Sequence, residues 1–159
     1  MPKKATKAAD NTFYKARMEC ALCNDRMGSR ESAAEELGID RTRLARIELG
    51  ALVPYPEEVV MMAEGYGAPE LMNHYCSGLC PVGQLTICPC ELQNLDRLTI
   101  RIIAALSEAT VIRDSIISIA EDGVVSEDEH GKLEKVMSLL DQITSATESL
   151  KMWVRKYAK

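Results

Sequence analysis

The sequence predicts an all-α protein, and three observations carry the prediction. Helix-forming residues dominate, and only seven of the 159 residues are aromatic. No run alternates apolar and polar residues with period two, the mark of a half-buried strand. Beyond Asn11, apolar residues recur three and four apart over most of the chain. That spacing places them on one face of a helix and marks the face for burial. An apolar content of 47% is enough for a core and is not that of a disordered chain. The length suits one compact domain or two small ones.

The elements follow in order. Residues 1–11 are polar and hold Lys3, Lys4 and Lys7. They predict a flexible basic arm, able to touch phosphate or simply solvated. A first helix is expected from Thr12 to Met27, with Phe13, Ala16, Cys20, Cys23 and Met27 on one face. The Cys20-x-x-Cys23 pair invites a redox or zinc reading. Its place on an apolar stripe favours burial of both thiols as small hydrophobes. Ser29 can cap a second helix that Gly38 ends, and Asp40 can cap a third. The third helix opens with Arg41, Thr42 and Arg43 and carries Arg46 one turn on. Ala33, Ala34, Leu37, Ile39, Leu44 and Ile47 then face inward, leaving Arg30, Arg41, Thr42, Arg43 and Arg46 outside.

This is the spacing of a DNA-binding helix-turn-helix, whose second helix enters the major groove with its first residues at the base edges. Arginine suits both tasks, since its planar fork bonds guanine bidentately and clamps phosphate. Three arginines within six residues at a helix start oppose the helix dipole, a cost that an anionic partner would offset. The alternative is an ordinary solvated face.

Bulk charge argues the other way, because the formal net charge is −5. Its distribution restores the DNA reading. Residues 1–55 hold ten Lys and Arg against eight Asp and Glu. Residues 56–90 hold four acids and no Lys or Arg, and residues 91–159 hold nine bases against twelve acids. Phosphate binding needs a local basic face, not a basic protein.

Residues 12–75 resemble the λ-repressor/Cro-type helix-turn-helix domain, the xenobiotic-response-element family of bacterial and phage regulators. The carrying residues are Ser29, Ala34, Leu37-Gly38-Ile39, Leu44, Ile47-Glu48 and Gly50, in the family's order and spacing. Pro54 and a helix from Pro56 to Tyr66 follow, with Val59, Val60 and Ala63 inward, and Pro69 to Tyr75 fits a fifth helix. The resemblance implies a five-helix domain that binds double-stranded DNA. Two departures stand out. The family commonly has Gln after the capping Ser, where this chain has Arg30. It also often pairs the Glu at position 48 with a first-helix Arg, and that position falls here on Cys23 or Asn24. Glu48 must find another partner, with Arg17 as the candidate.

Residues 76–90 form an expected cysteine-rich connector in which Gly78, Pro81, Gly83 and Pro89 oppose regular structure. Cys76, Cys80, Cys88 and Cys90 fall within fifteen residues. Closely spaced thiolates in a loop can wrap a soft metal ion, so a Zn ion or an Fe–S cluster is a candidate cofactor. The spacing matches neither a zinc finger nor a ferredoxin run. Metal-free reduced thiols and a reversible disulfide are the other readings. His74 lies nearby as an alternative ligand or a plain exposed histidine.

Residues 91–159 predict a long helical hairpin that dimerises. The first arm places Leu95, Leu98, Ile102, Ala105, Ala109, Ile112, Ile116 and Ile119 at coiled-coil spacing, beside a second stripe of Ile103, Leu106 and Ile117. The second arm repeats it with Leu133, Val136, Leu140, Ile143, Thr147, Leu150, Val154 and Tyr157. Gly123 is expected to end the first arm, and Ser126 with Glu129 to form a capping box for the second. Residues 122–129 resemble half an EF-hand loop, but Ser118 and Ala120 stand where acids are needed. The first arm carries more apolar surface than one partner helix covers, which favours a four-helix bundle of two copies.

The function expected is that of a dimeric, sequence-specific DNA-binding transcriptional regulator, metal- or redox-responsive through its four cysteines. The alternative is an antitoxin-like or phage adaptor that grips a protein partner through the hairpin. No enzyme is expected, since there is no catalytic triad order, phosphate loop or paired-His motif, and only two histidines. No stretch approaches the ~20 apolar residues of a membrane span. The start of the chain lacks a signal-peptide core, so a cytoplasmic location with reduced thiols is expected.

Overall fold

The computed structural model describes residues 8–120 and 127–158, and among these every regular element is helical. The chain divides into two compact units, Met1–Ile87 and Cys88–Lys159. Lys3, Lys4, Lys7, Gly123, Ser126 and the half EF-hand sequence lie outside the described residues or rest on them.

The N-terminal unit begins earlier than expected. Ala8 is fully buried, and Asn11 fastens α1 (Thr12–Cys20) at both its ends of contact. Its Oδ1 accepts from the Phe13 and Tyr14 amides at 2.9 and 3.1 Å, while Nδ2 donates to the Ile47 carbonyl at 3.0 Å. Residues 8–11 are therefore part of the folded unit and not of an arm.

The first helix stops at Cys20, seven residues short of the expected Met27. The cause is Asn24, whose side chain accepts from the Arg26 amide and caps a 3-10 turn over Asp25–Gly28. Asn offers the backbone this alternative to continued helix. Phe13, Ala16 and Met27 are buried as their spacing predicts. Cys20 is only half-buried against the core and Cys23 is exposed, so the expected common burial of the two thiols fails for Cys23.

Next come α2 (Arg30–Leu37) and α3 (Arg41–Glu48). Ser29 caps α2 by accepting from the Ser32 amide at 3.1 Å, and Asp40 caps α3 by accepting from Arg43 N at 2.9 Å. Between them Gly38 takes φ 68°, the left-handed region that costs glycine nothing. The fourth helix, α4 (Pro56–Tyr66), starts on a proline whose missing N–H is harmless there. Ala33, Leu44, Ile47, Val59, Met62 and Leu71 are at most 2% exposed and form the centre of the core. Val60, expected inward, is exposed.

The expected connector is not a separate segment. The fifth helix, α5 (Glu70–Gly78), runs on through Cys76, and a short α6 (Gly83–Thr86) packs back on it. That packing requires glycine at 83. A Cβ there would stand 2.0 Å from the Cys76 carbonyl oxygen. Cys76 and Cys80 thus belong to the N-terminal unit, while Cys88 and Cys90 open the C-terminal one.

In the C-terminal unit, α7 (Leu95–Ser107) and α8 (Ala109–Ala120) both pack on α9 (Glu127–Tyr157). The expected single first arm is interrupted at Glu108. Ser107 Oγ bonds the Ile103 carbonyl at 2.8 Å just before the break, a contact of the kind that competes with the helix ladder. Among the described residues of α7 and α8, only Leu98, Ala105, Ile112 and Ile119 are buried, one residue per heptad. The second heptad position is largely open, with Leu95, Ala109 and Ile116 exposed and Ile102 half-buried.

Among the described residues of α9 the buried set is Val136, Ala146, Ser149 and Met152, and Leu140, Thr147, Val154 and Tyr157 from the expected stripe are exposed. The reason lies in the segment before α7. Cys88 Sγ reaches the Asp141 carbonyl at 3.9 Å, and Cys90 lies beside Ser145 and Ser149. Small side chains at 145, 146 and 149 leave room for that segment, which lies against α9 there beside Arg101 of α7.

Candidate nucleic-acid interface

Glu48, at the end of α3, is the anchor of the site. It is 0% exposed and bonded by two arginines. Arg17 of α1 gives Nε to Oε1 at 2.5 Å and Nη2 to Oε2 at 3.1 Å, and its Nη1 donates to the Met27 carbonyl at 2.6 Å. Arg30 of α2 gives Nε to Oε2 at 2.6 Å. Burial opposes the charge on Arg17, but the hydrogen bonds and charge of Glu48 outweigh it and hold its pKa above the ordinary value. One carboxylate therefore ties α1, α2 and α3 together, and the recognition-helix candidate cannot rotate without breaking it. Fully bonded buried charges of this kind orient elements more than they stabilise them.

A second clamp fixes the start of α3 to α4. Arg43 bonds both carboxylate oxygens of Glu58, with Nη2 to Oε2 at 2.9 Å and a closer contact from Nε to Oε1. Its guanidinium lies 4.0 Å from the Tyr55 ring centroid, a cation–π contact. The Tyr55 amide donates to Glu58 Oε2 at 2.7 Å. Burial pushes the Glu58 carboxyl up, but the bonds from Arg43 and Tyr55 prevail and hold it below the ordinary value.

These contacts sort the five expected DNA residues. Arg41, Thr42 and Arg46 are exposed along α3, and among the described residues neither Arg41 nor Arg46 forms an ion pair. Arg30 and Arg43, expected outside, are half-buried and paired with Glu48 and Glu58. Position along a helix shows which way an arginine leaves the backbone. It does not show that a carboxylate eighteen residues away, or fifteen, closes on it. The Arg43–Glu58–Tyr55 clamp left no motif in the sequence. The Arg17–Glu48 pair was expected only through the family resemblance, which implies an arginine partner for the Glu at position 48.

The four expected metal-ligating cysteines are divided between the two units. Cys76 and Cys80 lie in one unit and Cys88 and Cys90 in the other. Among the described residues no three His, Cys, Asp or Glu side chains form a group able to hold a metal ion. Cys90 Sγ bonds the Cys88 carbonyl at 3.3 Å, and burial raises its pKa. His74, considered as a substitute ligand, meets Phe13 edge-on at 5.7 Å, and burial lowers its pKa. Among the described residues no helix is long and apolar enough to cross a membrane.

Comparison with protein-family models, with curated proteins and with solved structures gave no match to this chain.

Proposed function

We propose that this protein is a dimeric DNA-binding regulator that reads a duplex with α3. The observation that carries the reading is the exposed row Arg41, Thr42 and Arg46 on a helix whose other face is buried and whose ends are clamped. Two arginines without internal partners supply the local positive charge that phosphate and base edges attract. In this reading Arg41 and Arg46 contact DNA and Thr42 adds a hydroxyl at the helix start. Arg30 and Arg43 position α3 and do not read bases themselves. The α2–α3 turn at Gly38 and the bond from an α1 arginine to Glu48 agree with the λ-repressor/Cro-type resemblance. The test is selection of bound duplexes from a random pool. An enriched sequence whose binding falls on Arg46→Ala is expected, a base contact being worth about 1–3 kcal/mol. No enrichment overturns the proposal.

Dimerisation through the C-terminal unit is the second part of the reading. Ile100, Ile103, Leu106, Ile116 and Ile117 are all at least 45% exposed on α7 and α8. A second copy covering this face would pair two α3 helices for two half-sites one helical turn apart. A different protein on the same face is the adaptor reading. It predicts a monomer in isolation, whereas the regulator reading predicts a dimer.

A further inference from the structure

The C-terminal unit contains a cleft of about 420 Å³, lined by Pro89, Cys90, Glu91, Gln93, Arg101 and Ser145. Its size lies within the range of small-molecule sites, roughly 300–1,000 Å³. Two polar groups in its wall are incompletely used. Arg101 is half-buried, and its one hydrogen bond is from Nη2 to Ser145 Oγ at 3.2 Å. Among the described residues no carboxylate pairs with it. A guanidinium has five N–H donors, so a bidentate edge is left over. Gln93 Oε1 is buried and, among the described residues, accepts no hydrogen bond. A buried acceptor without a donor is costly and calls for an explanation.

We propose that this cleft binds a small carboxylate that also carries a hydrogen-bond donor, a hydroxy or amino acid, with Arg101 holding the carboxylate and the Gln93 amide turning its buried Oε1 to accept from the donor. One cation beside Glu91 suits a monoanion better than a phosphate dianion, and residues 91–159 hold more acids than bases. Cys90 contributes a polarizable wall. Every lining residue lies in the C-terminal unit, so the inference is independent of whether α3 binds DNA.

The experiment titrates full-length, isotope-labelled protein with L-lactate, 3-hydroxybutyrate, 4-hydroxybenzoate and L-serine, each beside its primary amide, and with inorganic phosphate. At least one carboxylate at millimolar concentration is expected to shift the Gln93 side-chain amide and Arg101 Nε–H resonances saturably, with its amide inert. Arg101→Gln is expected to weaken that binding about tenfold or more, with Trp153 emission unchanged. Gln93→Leu is expected to weaken it too, while raising the temperature at which Trp153 emission changes, because the orphan acceptor is gone. No saturable shift by any probe overturns the proposal. So does equal binding by the amide, by Arg101→Gln, or tighter binding of phosphate than of every carboxylate.

Discussion

Replacing Arg17 by Met is the sharpest check on how α3 is held. The substitution keeps an apolar stem of similar length and removes the guanidinium. Three hydrogen bonds go with it, two to Glu48 and one to the Met27 carbonyl. Glu48, 0% exposed, is left with the single bond from Arg30. Removing one partner from a buried pair typically costs ~3–5 kcal/mol. Because Arg30 remains, the lower end is expected, about 3 kcal/mol. Arg30→Met should cost less, about 1 kcal/mol, since Glu48 keeps both Arg17 bonds. The double change Arg17→Met with Glu48→Met removes the buried charges together and should cost less than Arg17→Met alone. A domain is typically worth only ~5–15 kcal/mol, so the loss is large. Native-state amide exchange over α1, α2 and α3 measures it. The chain's one tryptophan, Trp153, reports the C-terminal unit and should not respond. The reasoning is refuted if Arg17→Met lies within about 0.5 kcal/mol of the wild type, near the ordinary range of surface changes. It is equally refuted if the double change is additive, because coupled charges cannot be.

Other outcomes follow from the same structure. The folded Glu58 carboxyl lies below its ordinary value despite burial, held there by Arg43 and Tyr55. Its contribution is therefore complete above the ordinary Glu range and is lost as pH falls through the folded value. Amide protection at the start of α3 should fall over that acid window, and Glu58→Gln should lower it at neutral pH and flatten the dependence. Gly83→Ala forces a Cβ against the Cys76 carbonyl at 2.0 Å. It should displace α6 and expose Cys76 to a thiol reagent, whereas Gly78→Ala meets nothing and should not. Ile103→Glu with Leu106→Glu places charge on the open face of α7. Sedimentation should change from dimer to monomer with Trp153 emission retained. A wild-type monomer would sink the dimer reading.

Much of the N-terminal unit was legible because its signals are local. Ser29, Gly38 and Asp40 act on amides within three residues, and an apolar stripe needs only its own helix to be recognised. Local signals also misled where two competed. Phe13 to Met27 keep a perfect helical spacing, yet Asn24 ended the helix early by bonding its own backbone. In the C-terminal unit one of the two expected heptad positions on α7 and α8 is buried and the other is largely exposed, and spacing alone could not tell which.

The sequence by itself determined an all-helical chain and the caps around α2 and α3, from side chains acting on near neighbours. Only the tertiary structure decided which arginines remain available. Glu48 and Glu58 approach Arg30 and Arg43 from other helices, and that approach depends on how the helices pack. It also decided that the cysteines divide between two units, and that the segment bearing Cys88 and Cys90 lies over α9 beside Arg101. Charge pairing and clefts arise from distances between elements, which no spacing within one element encodes.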